Sequence, residues 1–225
     1  MSGNKKNPKV ALAIPSTHGL SKDYQSMINS LDYSNKEVFV AEGVGDEIEH
    51  LNKNFIYAVK CASMRERARQ KALKSDAEYI LFLNDDVFMP SNTIKELLWM
   101  KQPVCAAWVA SKNKAYYLAG TWKWDKLLGK RCFEHCMKPL IEPDQTTPFI
   151  SLLCNLACSL WIRELAELVP IRCDFNAKNF LLSVKPRARR AFSSDSTCAG
   201  YDLQQLGVMT AMSTRVVCEH RHIFL

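Results

Sequence analysis

The order of apolar and polar positions predicts a chain of short strands alternating with helices. Val10-Ala-Leu-Ala-Ile14 is an unbroken apolar run stopped by Pro15-Ser16-Thr17, the pattern of a buried strand with a loop at its carboxyl end. From Lys22 to Leu31 the apolar residues Tyr24, Met27, Ile28 and Leu31 recur at helical spacing. A second strand is predicted over Glu37–Ala41, ended by Gly43 and Gly45, and a charged helix over Ala62–Lys74 with Ala68, Ala72 and Leu73 on one side. Glu78–Leu83 reads as a third strand that stops at Asn84-Asp85-Asp86. Ser91 reads as a helix cap before Ile94, Leu97 and Leu98, and Val104–Val109 as a fourth strand. Beyond residue 110 the pattern is less regular. An aromatic stretch runs from Tyr116 to Trp124, and Leu152–Glu167 starts strand-like and turns helical near Arg163-Glu164-Leu165. Leu203, Leu206 and Gly207 mark a helix end, and Thr214–Cys218 forms a last strand leading to Glu219-His220.

Strands alternating with helices predict an α/β sandwich around a mostly parallel sheet. Ligands of such folds sit at the carboxyl ends of the strands. The loops Pro15-Ser16-Thr17, Gly43-Val44-Gly45 and Asn84-Asp85-Asp86 should therefore converge on one crevice. No internal repeat or evident linker divides the chain, so we expect a single domain over residues 1–225. Its nucleotide-binding part would cover about 9–110 and its acceptor-side part about 111–225.

Composition narrows this picture. The 225 residues are 48% apolar and 24% charged, which excludes disordered and low-complexity readings of the whole chain. A net charge of +7 suits an anionic ligand such as a phosphate but does not by itself indicate nucleic acid. The apolar stretches Val10–Ile14 and Ile150–Ile162 are too short for a membrane span, and the second contains Asn155. Nine cysteines, an odd number without a secretory leader, lead us to expect a soluble, cytoplasmic protein whose cysteines are mainly small buried apolar residues.

Adjacent carboxylates at the end of a buried strand are costly unless a cation meets them. For Asp85 and Asp86 a hard divalent ion, Mg²⁺ or Mn²⁺, is the usual solution, and either ion also holds diphosphates. The plainer alternative is a solvated acidic turn. Cys132-Phe-Glu-His135-Cys136 and the pair Cys154/Cys158 suggest zinc only weakly, because no second Cys-x2-Cys pair follows. A glycine-rich dinucleotide loop and a P-loop are both absent. Lys185–Arg190 carries four positive charges, as a phosphate-clamping lid, an acceptor surface or a solvated loop. Tyr116, Tyr117, Trp122 and Trp124 either stack on a ligand or fill a core.

The stretch Arg65-Glu66-Arg67-Ala68, Ala72-Leu73, Asp76, Tyr79-Ile-Leu-Phe-Leu-Asn-Asp-Asp-Val87 and Pro90 resembles the glycosyltransferase family 2 type of the GT-A fold. That family joins an arginine-led helix, an apolar strand, a DxD-type motif and a proline. Here Asn84 stands at the first acidic position. Ala157–Glu164 is similar to the family's acceptor-side segment, and Asp195, Gly207 and His220 follow in the family's order. The resemblance covers roughly residues 9 to 221.

The resemblance implies a Rossmann-like α/β/α sandwich and an inverting, metal-dependent glycosyltransferase that uses a nucleotide-diphosphate sugar. Asp86 and His220 would hold Mn²⁺ or Mg²⁺, with His222 competing for the second role. Pro15, Ser16, Thr17, Glu42, Arg65, Asn84 and Asp85 would border the nucleotide. Asp195 would be the general base, with helix capping as its alternative role and Asp202 a less favoured base. The acceptor class (glycan, protein or modified DNA) and the oligomeric state are left open. The rival readings are a nucleotidyltransferase of similar fold, a non-catalytic GT-A-like binding module and a zinc-held interaction protein.

Overall fold

The computed structural model describes residues 7–43, 53–110, 116–125, 130–137, 149–151, 154–173 and 194–221, with the side chains of 53–57, 116–125, 130–137, 149 and 214 outside the description. The strands are β1 (Val10–Ser16), β2 (Lys36–Glu42), β3 (Tyr79–Leu83), β4 (Val87–Phe88), β5 (Val104–Val109), β6 (Tyr116–Asp125), β7 (Lys130–Met137), β8 (Phe149–Ser151), β9 (Cys158–Ile162) and β10 (Thr210–His220). The helices are α1 (Lys22–Asn29), α2 (Lys53–Ala72), α3 (Thr93–Trp99), α4 (Arg163–Leu168) and α5 (Asp195–Gln205).

The main sheet runs β2-β1-β3-β9-β5-β10-β4, with β8 on β10, while β6 and β7 form a separate antiparallel ribbon. β1 is parallel to both β2 and β3, and β5 is parallel to β10. β9 enters antiparallel between β3 and β5. The chain steps from β1 to β2 and back across β1 to β3. Right-handed crossovers therefore require α1 and α2 to lie on opposite faces.

The core shows that arrangement. Along β1, Val10, Leu12 and Ile14 pack in one cluster with Tyr24 and Ile28 of α1 and Ile94 and Leu97 of α3. Ala11 and Ala13 pack in the other with Ala68 and Ala72 of α2, Leu165 and Ala166 of α4, and Ala199 and Leu203 of α5. Both faces are covered, which is why β1, β3 and β5 read as continuous apolar runs rather than alternating ones. The alanines of α2 let its backbone approach the sheet. Trp161, fully buried on β9, stands edge-on to Phe82 at 5.1 Å and donates its indole N–H to Ser159 Oγ at 3.1 Å. The polar residue inside the second apolar stretch, Asn155, is buried and satisfied: it donates to Ala107 O at 3.1 Å and accepts from Ala157 N at 3.0 Å.

Several boundaries differ from expectation for local reasons. Helix α2 begins earlier, at Lys53. The residue before α3 is Asn92 rather than Ser91, and no side chain caps it. Ser91 instead accepts Asp32 N through its carbonyl. The last strand is longer than Thr214–Cys218, because it pairs β8 and β5 near its start and β4 at its end, with an irregularity between Met212 and Val217. Arg163 opens α4 and turns back to donate to Leu73 O (2.7 Å), Ser75 O (2.7 Å) and Ala77 O (3.2 Å). One guanidinium thus satisfies carbonyls of the turn that joins α2 to β3. Among the described residues no helix is long and apolar enough to cross a membrane.

Candidate active site

Because β1, β2 and β3 are parallel, their following loops leave one end of the sheet. Ser16 and Glu42 are register partners at the ends of β1 and β2. Ser16 is buried and donates its hydroxyl to Gly19 O at 2.9 Å, closing the loop after β1. Gly19 has φ +81°, and a Cβ there would lie 3.4 Å from Glu42 Oε1. The positive φ, rather than the space beside Glu42, is what calls for glycine in this loop. Pro15 is buried beyond Ala13–Phe82, the last β1–β3 pair, and Thr17 is exposed. Arg67 of α2 donates to Gly43 O, tying the helix to the end of β2. Val44 and Gly45 lie outside the described residues.

The acidic turn is held at its first residue. Asn84 N donates to Ala157 O at 3.0 Å, and Asn84 O accepts the Tyr24 hydroxyl at 2.8 Å and Val87 N at 3.1 Å. Its side-chain oxygen accepts Arg65 Nη2 at 2.8 Å and Arg65 Nε at 3.2 Å. Burial, reinforced by Cys158, Asp85 and Asp86 nearby, pushes the Tyr24 phenol well above its ordinary pKa, so it remains a neutral donor. Tyr24 went unnoticed in the sequence except as an apolar helix position. A tyrosine on an apolar helix face, with a hydroxyl that needs a partner, was the available signal.

Asp86 meets the last strand. His220 is the register partner of Val87, and Arg221 N donates to Asp86 O at 2.9 Å. This pairing brings His220 Nε2 to 3.7 Å from Asp86 Oδ1, with the side chains 8% and 18% exposed. On the other side of the ring, Nδ1 contacts Ala110 O. A carbonyl only accepts, so Nδ1 carries a proton there, and the ring's other nitrogen, Nε2, is the one directed at Asp86. A carboxylate and an imidazole oriented in this way suit a divalent ion that takes its remaining ligands from phosphate and water. Among the described residues no group of three His, Cys, Asp or Glu side chains is placed to hold a metal by itself. Cys154 and Cys158 are buried and free, and burial pushes the Cys154 thiol up to about 12, unlike a zinc thiolate. The side chains of Cys132, His135 and Cys136, the aromatic side chains from Tyr116 to Trp124, the basic segment 185–190 and His222 lie outside the described residues.

Asp195 opens α5. Ser194 is the N-cap, accepting Thr197 N, so Asp195 is the first helical residue rather than the cap. Its Oδ1 accepts Ser196 N at 2.8 Å, and its Oδ2 pairs with Arg65 Nη1. Arg65 therefore faces Asn84 and Asp195, with a side chain 13% exposed. Asp202, about two turns further along α5, accepts Arg172 Nη2 on both its oxygens at 2.8 and 3.0 Å. One turn beyond Arg65, Arg69 grips Glu66 and donates to Ala166 O, while Glu66 accepts Ile171 N at 2.8 Å. Burial raises the Glu66 pKa, but the hydrogen bonds from Arg69, Gln70 and Ile171 outweigh it and hold it below the ordinary value.

This mixed sheet, with an acidic turn after its third strand and a histidine on its last, is the GT-A glycosyltransferase fold. The solved structures similar to it include A197 from STIV and GalNAc-T7. The protein A197 from STIV aligns with a TM-score of 0.53 and 15% identity over 95% of this chain and 86% of that one. GalNAc-T7, crystallised with UDP, GalNAc and Mn²⁺, aligns with a TM-score of 0.56 and 11% identity over 96% of this chain and 44% of that one. No protein-family profile matches the sequence, and no curated protein matches it by sequence.

Proposed function

We propose that this chain is an inverting glycosyltransferase that moves a sugar from a nucleotide-diphosphate sugar to an acceptor hydroxyl, with Mn²⁺ or Mg²⁺ held by Asp86 and His220. The observation that carries this reading is the Asp86–His220 pair, with Nε2 turned toward the carboxylate, at the carboxyl end of a GT-A sheet. Asp85, beside Asp86, would border the donor nucleotide. A bound divalent ion supplies positive charge for the departing diphosphate. The chain's own residues do the rest. Ser16, Thr17, Pro15 and Glu42 border the base and ribose at the ends of β1 and β2. Arg65 and Asn84 brace the acidic turn against α2. Asp195 takes the acceptor hydroxyl's proton as that oxygen bonds to the anomeric carbon and the bond to the diphosphate breaks. One displacement inverts the anomeric centre.

Thermal stability with a panel of nucleotide sugars, in Mn²⁺ or in EDTA, tests the donor site. GalNAc-T7 was crystallised with UDP and GalNAc, so uridine-diphosphate sugars lead the panel. A donor at about 100 times its dissociation constant stabilises a fold by about 2.7 kcal/mol, a shift of roughly 5–10 °C for a chain of this size. We expect a metal-dependent shift that disappears in Asp86→Asn. The absence of any shift at saturating metal would overturn the assignment. Turnover on glycan, protein or DNA acceptors then separates an enzyme from a binding module. The setting we assign to this protein is a reducing, cytoplasmic one, with the chain forming a single domain.

A further inference from the structure

Arg65 reaches two acceptors of different charge. Its Nε and Nη2 converge on the neutral Asn84 Oδ1, and its Nη1 pairs with the Asp195 carboxylate, 130 residues away in the chain. Arg65 and Asp195 are 13% and 8% exposed at the side chain, so solvent does little to screen either charge. Among these three residues the charges sum to zero. A carboxylate at position 84 would place a second negative charge on the same guanidinium and next to Asp85. Asn84 Oδ1 already accepts two N–H groups from a cation, a poor position from which to approach a second cation.

We propose that Asn84, Arg65 and Asp195 form one charge-matched positioning unit. The amide at position 84 anchors the guanidinium without competing for its charge, so that charge serves to orient Asp195. Asn84 is then a positioning residue rather than a defective metal ligand, and Arg65 joins the acidic turn to the first turn of α5. The role of Asp195 as a base rests on the transferase reading above. The coupling between positions 84 and 195 does not.

A mutant cycle read by thermal and urea denaturation tests this, with EDTA present and no nucleotide sugar, so its result is independent of turnover. Asn84→Asp in the natural background lowers the melting midpoint by about 3 °C, because two carboxylates then share one guanidinium. In the Asp195→Asn background the same Asn84→Asp change raises the midpoint by a similar amount, because the new carboxylate restores a one-to-one pair. With Arg65→Met added, Asn84→Asp lowers the midpoint in both backgrounds and the sign reversal is lost. Should Arg65→Met fail to fold, Arg65→Lys serves instead. It keeps the charge without the fork, so the reversal persists at reduced size. A merely structural loss of packing does not change sign with the residue at 195. With Arg65 in place, shifts of the same sign for Asn84→Asp with and without Asp195→Asn would overturn the proposal.

Discussion

Tyr24→Phe removes one oxygen from beneath the acidic turn, and the structure sets the size of the effect. The Tyr24 hydroxyl donates to Asn84 O at 2.8 Å, and the same carbonyl also accepts Val87 N at 3.1 Å. Deleting the hydroxyl therefore costs one neutral hydrogen bond, about 1 kcal/mol, without leaving a buried acceptor orphaned. The ring remains, including its edge-on contact with Phe88 at 5.5 Å and 85°. No large-to-small cavity penalty of about 3–5 kcal/mol arises. For a chain of this length the expected fall in melting temperature is about 2–4 °C. Calorimetry on the two proteins at matched pH measures it, and urea denaturation gives the free-energy difference at constant m-value. A loss above about 3 kcal/mol would refute the shared-carbonyl reasoning, as would no loss at all. Tyr24→Leu, which also removes the ring, should cost clearly more.

Other consequences follow from the same contacts. Arg163→Lys should lower stability by about 1–3 kcal/mol, since an ammonium cannot replace the fork that reaches Leu73, Ser75 and Ala77 carbonyls, and chemical denaturation checks it. Glu66 has a lowered folded pKa, so its contribution is complete above the ordinary carboxylate range and is lost as pH falls through that lowered value. Glu66→Gln should therefore destabilise at neutral pH and flatten the acid limb of the stability profile; an unchanged acid limb counts against the clamp. Burial pushes the Cys105 thiol up to about 11 and the Cys154 thiol up to about 12, so both should resist a thiol-specific reagent in the folded protein and react once it is unfolded. Peptide mapping after labelling reads each site separately.

The parts of the molecule legible in the sequence are those whose signal is local. β1, β3 and β5 announce themselves because both faces of the sheet are covered, which makes their apolar runs continuous. The acidic turn is legible because charge abruptly follows five apolar-lined positions. What escaped is pairing. Nothing within Cys158–Ile162 says that it lies antiparallel between β3 and β5, since a strand's neighbours are chosen by distant segments. Arg65 stands out by its place in the motif as a residue bordering the nucleotide, but only the fold shows that Asn84 and Asp195 come to it. His220 stands out only by its place in a familiar order of residues; the ladder pairing with Val87 is what puts its imidazole beside Asp86.

The position of the last strand also sets a schedule for synthesis. A ribosome finishes β1, α1, β2, α2 and β3, and with them the acidic turn, well before α5 and β10 exist. Until α5 emerges, Arg65 lacks the carboxylate 130 residues downstream. Until β10 docks, β5 is an open edge and Asp86 has no imidazole. A nascent chain of this protein can carry much of its hydrophobic core before either of these long-range contacts exists. Contacts this distant also slow folding, because the intervening chain must be ordered before they form. The contacts from Arg65 to Asp195 and from Asp86 to His220 are therefore both late events, completed only when α5 and β10 have joined the sheet.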